Sequence, residues 1–71
     1  MSGDTITISL NGEQRSVAVG TTIAGLAEQL GLDPTKVAVE RNREIVPRST
    51  LTNVVLAEKD ELEIVHFVGG G

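Results

Sequence analysis

The chain closes on EIVHFVGGG, where an apolar, strand-like run passes directly into Gly69, Gly70 and Gly71. Three glycines put the α-carboxylate of Gly71 at the end of a thread without Cβ atoms, and such a thread can enter a channel too narrow for any bulkier residue. An ordinary frayed end would look the same in isolation, because disorder concentrates at termini. What sets this one apart is its position immediately after a final strand in a small acidic chain. The other residue types that could do chemistry lie close by. His66 is the only histidine, and as a general base it would need an acid or nucleophile beside it. Its parity matches Leu62 and Ile64, so it reads as a strand-end histidine closing off the core edge. Glu58, Asp60, Glu61 and Glu63 could be grouped as a carboxylate cluster for a metal, yet acidic turns and solvated strand faces have the same composition. No Gly-rich loop joins a strand to a helix, and no nucleophilic constellation or paired metal-ligand spacing is present. No catalytic residue is assigned.

The elements that must position the tail follow from periodicity. TITISL alternates, with Ile6, Ile8 and Leu10 on one face and Thr5, Thr7 and Ser9 on the other, the pattern of a half-buried strand. Asn11 and Gly12 suit a two-residue type I′ turn, so residues 4–19 are expected to be a hairpin whose return strand points Val17 and Val19 inward. After Gly20 the period changes. Ile23, Leu26, Ala27 and Leu30 form one helical stripe, started by Thr21 or Thr22 as cap and ended at Gly31, with Leu32 and Pro34 beyond it. Gly25 inside this helix lowers its propensity and would serve either close approach to the sheet or nothing beyond an exposed surface. KVAVERNREIVP reads as a strand, a turn at Asn42 and Arg43, and a short strand from Glu44 to Val46 stopped by Pro47. Arginine is uncomfortable at positive φ, which leaves a wider turn open there. One helical turn around Thr50 to Asn53, core atoms from Leu51, Val54 and Leu56, and a turn at Lys59 and Asp60 lead to the last strand.

In that last strand Leu62 and Ile64 face one way, Val65 and Phe67 the other. If the first pair lies under the helix, Val65, Phe67 and the following Val68 form an outward apolar face, suited to docking a partner. A slip of one residue would instead bury Phe67, the chain's single aromatic.

Composition bounds the rest. Seventy-one residues are expected to form one domain, 1–71, with a flexible glycine tail at 69–71; a chain of about 60 residues buries only about 60% of its unfolded surface, which leaves no room for a deep enclosed pocket. Net charge is −4, which opposes nucleic acid and anionic membranes and favours basic partner surfaces. Zero cysteines exclude disulfides, thiolate metal sites and any chemistry that carries sulfur or an acyl group on a cysteine side chain. No run approaches a membrane span and no signal peptide opens the chain, so a cytoplasmic location is expected. Antiparallel hairpins with one helix on one face define an α+β fold.

The stretch LNGEQRSVAVGTTIAGLAEQLGLDPTKVAVERNREIVPRS, followed by EKDELEIVHFVGGG, resembles the ThiS family of sulfur carriers of thiamine biosynthesis. The resemblance runs from about Ile6 to Gly71 and is most distinctive in VAVERNREIVPRS and FVGGG; Arg43 departs from the glycine common after Asn42. It implies a β-grasp, ubiquitin-like fold: a mixed sheet of four to five strands with one main helix packed on one face, its first and last strands parallel central neighbours. It also implies that the chain is a substrate rather than an enzyme and uses no cofactor or metal of its own. An ATP-dependent, ThiF-type adenylyltransferase similar to the ubiquitin-activating class would adenylate Gly71, and a cysteine-desulfurase-type sulfur donor would replace AMP to leave a thiocarboxylate. The carrier, a monomer when free, would then thread Gly69 and Gly70 into thiazole synthase, with Val65, Phe67 and Val68 docking the sheet face. Sulfur carriers for molybdopterin-type cofactors, tRNA thiolation or cysteine share the same tail, as do ubiquitin-like protein modifiers.

Overall fold

The structure, a computed structural model, describes residues 4–67. The first hairpin forms as its alternation predicts: β1 (Thr5–Leu10) and β2 (Glu13–Ala18) pair antiparallel with Ile6 opposite Val17. Asn11 and Gly12 both take positive φ, 51° and 88°, giving the tight turn whose twist matches that of the strands. Val17 is buried, but Val19 is 61% exposed and not inward. β2 stops at Ala18, so Val19 lies past the last paired residue, held by its N–H to the Asp4 carbonyl at 2.8 Å.

Helix α1 (Ile23–Gln29) begins at Thr22, whose hydroxyl accepts the Gly25 N–H at 3.0 Å. It ends where Gly31 turns to φ 79°. There the Gly31 N–H donates to the Glu28 carbonyl and the Leu32 N–H to that of Ala27, each at 2.9 Å, the double bond that closes helices in a left-handed cap. Gly25 serves neither of the roles expected of it. A Cβ there would lie 3.2 Å from the Thr22 hydroxyl, so the glycine leaves room for the capping side chain rather than for the sheet.

A 3₁₀ turn, Pro34–Lys36, leads into β3 (Val37–Arg41), which pairs antiparallel with β4 (Glu44–Val46). The turn between them is two residues long, with Asn42 at φ 52° and Arg43 at 72°; the wider turn does not form. Pro47 then stops β4, a 3₁₀ turn follows at Arg48–Thr50, and the turn expected at Thr50 to Asn53 closes directly after it, with the Asn53 and Val54 N–H groups donating to the Thr50 carbonyl at 2.9 and 3.0 Å. After a turn with Lys59 at φ 71°, β5 (Glu61–His66) completes a five-stranded sheet ordered β2-β1-β5-β3-β4. β5 runs parallel to β1 and antiparallel to β3. A parallel pair at the centre, antiparallel hairpins outside and one helix across a single face are the β-grasp arrangement.

The core lies between helix and sheet. Ile8, Ile23, Leu26, Val37, Leu51 and Leu62 are its most deeply buried large side chains, joined by Leu56 and Ile64, with Val54 and Leu30 packed at the margin. No helix of the described residues is long and apolar enough to cross a membrane.

Candidate functional site

β5 positions everything that leads to the tail. Its inner residues, Leu62 and Ile64, are buried against the helix layer, and its outer residues are exposed: Val65 by 59% and Phe67 by 46%. Phe67 is therefore not a core residue. Its N–H still donates to the Lys36 carbonyl at 2.8 Å, so the strand is held to β3 up to the point where the tail begins. The Arg48 guanidinium carbon stands 5.9 Å from the centre of the Phe67 ring, within range of a cation–π attraction. Arg48 comes from the turn directly after Pro47, so the end of β4 also braces the tail's root.

Register across the strands enlarges this outer face beyond what alternation in β5 alone predicts. Ala38 lies opposite Val65, and Ile45 opposite Glu40. With Glu63 they line a shallow hollow of about 160 Å³. Ile45 is 80% exposed and joins this outer face, a place that sequence reading missed; the two-residue turn at Asn42 and Arg43, once accepted, fixes its outward parity. The hollow has an acidic margin. Glu40, Glu61 and Glu63 line a second, more polar depression of about 330 Å³ with Ser9 and Arg43. Of the expected site residues, Val65 is thus brought together with Ala38 and Ile45, Phe67 stands beside Lys36 and Arg48, and Val68, Gly69, Gly70 and Gly71 lie outside the described residues.

His66 shares the parity of Leu62 and Ile64, as expected, but its side chain is exposed and closes off no core edge. It stands near Asp33, whose carboxyl is held below its ordinary value chiefly by hydrogen bonds from the Thr35 hydroxyl and N–H, with smaller contributions from Lys36 and His66.

Asp60 departs most from expectation. It is not one of a solvated group of carboxylates: only 5% exposed, it turns into the structure. One oxygen accepts from Arg41 Nε at 2.9 Å and from the Ala57 N–H at 2.8 Å, and the other from Asn42 Nδ2 at 3.2 Å. Burial raises the carboxyl's pKa, but the Ala57, Asn42 and Arg41 donors outweigh it, and the group is held below 3.8. Asn42 in turn accepts the Glu61 N–H through Oδ1 at 2.9 Å. The start of β5 is thereby pinned to the β3–β4 turn. Asn11 does the same from the other flank, accepting the Ile64 N–H at 2.9 Å and donating to the Ile64 carbonyl at 3.3 Å.

Similarity to known proteins decides the family. The model of the ThiS family matches residues 8–71. The chain belongs to the ThiS family. Among its relatives, the sulfur carrier protein ThiS of Bacillus subtilis is 42% identical over 90% of this chain and 98% of its own length. A thiazole synthase of Magnetococcus marinus is 55% identical over 90% of this chain, which spans only 20% of that protein. The crystal structure of the thiamine biosynthesis protein ThiS from Geobacter metallireducens superposes with a TM-score of 0.76 at 26% identity, covering 93% of this chain and all of that one. In ThiS terms, the sheet face and the β5 terminus described above are the parts that precede the glycine tail.

Proposed function

We propose that the chain is a sulfur carrier of thiamine biosynthesis, with the carboxylate of Gly71 as its reactive group. Adenylation by a ThiF-type enzyme joins a carboxylate oxygen to the α-phosphate of ATP and expels pyrophosphate, turning a poor electrophile into an acyl group with a good leaving group. The terminal sulfur of a persulfide on a cysteine-desulfurase-type donor then attacks the acyl carbon as AMP departs, leaving an acyl disulfide, and a second thiol on the partner enzymes cleaves its S–S bond, becoming a disulfide itself and releasing the thiocarboxylate. The sulfur rides on the main chain, which accords with a sequence that has no cysteine. The chain itself catalyses none of these steps.

The observation that carries this function is the family match, which runs through the last glycine. The outward face supports it: Val65, Phe67, Ala38 and Ile45 offer an apolar anchor beside the tail's root, and Glu40, Glu61 and Glu63 an acidic rim. A few central apolar anchors supply most of the affinity of a transient interface, and the charged rim sets orientation and on-rate. Four residues beyond Phe67 reach at most about 14 Å when extended, so the docked face must sit at the mouth of the partner's active site. The partner that receives the sulfur is thiazole synthase, a protein class in which some members carry a stretch similar to this chain.

The test is an intact mass after incubation with ATP, a ThiF-type enzyme and a sulfur donor. Exchange of one oxygen for one sulfur in the C-terminal peptide is the expected result. An unchanged mass, with the activating enzyme shown to work on another carrier, would overturn the assignment.

A further inference from the structure

The two edges of β5 are unequally paired. On the β3 side, the ladder runs from Arg41 opposite Leu62 to Val37 opposite His66, and continues to the bond from the Phe67 N–H to Lys36. On the β1 side, strand pairing covers only Glu61 and Leu62. The Asn11 main chain then donates to the Leu62 carbonyl, and its side-chain amide takes both polar groups of Ile64. Because alternate residues of a strand direct their N–H and C=O to opposite edges, the next pair on this side belongs to His66. Among the described residues nothing bonds them. Asn11 thus imitates one more residue of β1, and the edge beyond it, at His66, is open among the described residues.

An unpaired edge of a central strand is a template for an added strand. We propose that the His66 edge of β5 takes up an extended main-chain segment of thiazole synthase, forming a strand pair across the interface at the end of β5. This rests on the carrier function proposed above. The occupant follows from continuity: a strand laid beside His66 lies next to Val65 and Phe67, and its outward apolar side chains would rest on the same face that docks the enzyme. Main-chain bonds at His66 would fix the direction and register of β5 against the enzyme just ahead of glycines that offer no side chains for recognition. Asn11 sets where the added strand begins, because it already fills the position before it.

Amide hydrogen exchange of the full chain, free and with saturating thiazole synthase, tests this directly. The His66 amide should slow by at least about tenfold in the complex, while the outward amides of β2, on the far edge of the sheet, keep their free rates. A complex that forms with His66 exchanging as in the free chain overturns the added strand and leaves the carrier function standing. Absence of any complex overturns both. His66→Pro supplies an independent check: it removes an N–H that faces away from β3, a position that tolerates proline at a sheet edge. With circular dichroism confirming the native fold, affinity for thiazole synthase should fall about tenfold, the value of one lost hydrogen bond; undiminished affinity would count against the pairing.

Discussion

Asp60 is the residue on which the start of β5 depends. Asp60→Asn keeps the shape but removes the charge that Arg41, Asn42 and the Ala57 N–H were arranged to receive. Arg41 remains partly exposed, so the cost should be nearer about 2 kcal/mol than the larger loss of a fully buried pair; chemical denaturation measures it. The pH dependence follows with a definite sign. The folded pKa lies below 3.8, so the carboxylate's stabilisation is complete above the unfolded value and is lost as pH falls below it through the folded value. Asp60→Asn should flatten that acid limb, leaving the part due to Asp33, and an unchanged acid profile would remove Asp60 from the account. Arg43 presents the opposite case. At φ 72° a side chain is strained, and Arg43→Gly should stabilise by roughly 0.5–1 kcal/mol, the relief of strain less the entropy added to the unfolded chain.

At the scale of elements, the short helix needs its cap. With seven residues in α1, Thr22→Ala should cost about 1 kcal/mol, read as a lower melting temperature. β5 leads to the proposed reactive tail, and its two faces should answer differently to mutation. Leu62 and Ile64 hold the fold, whereas the exposed Phe67 ring lies outside the core with Arg48 beside it. Phe67→Ala should therefore weaken sulfur transfer to thiazole synthase while leaving the melting temperature within a few degrees of the parent. A collapse of stability would show that the ring supports the core after all.

Over the whole molecule, acidic residues outnumber basic ones, ten to six. The net charge is −4; Glu40 and Glu63 border the apolar hollow on the outer sheet, and Glu61 joins them in the polar depression beside it. Association with a basic partner surface should slow as salt shortens the Debye length from about 10 Å at 0.1 M to 3 Å at 1 M. Stopped-flow association rates over that range check it, and a salt-independent rate would leave the apolar patch as the sole contributor.

Alternation and helical spacing were enough to identify both hairpins, the helix with its cap and stop, and the outward aim of Val65 and Phe67, because these depend on the geometry of neighbouring residues in the chain. The family pattern added the parallel centre of the sheet. What local pattern could not reach is how strands separated in sequence come into register. Asp60 meets Arg41 from 19 residues away and Asn11 meets Ile64 from 53, so neither the buried carboxylate nor the asparagine that stands in for a strand residue is written in any short window. Nor is the place of Ile45 beside Val65, which depends on both the β3–β4 turn and the β3–β5 ladder. Periodicity determines which face a side chain takes; only the assembled sheet decides its neighbours there, which edges close, and which polar groups are drawn inside with partners to hold them.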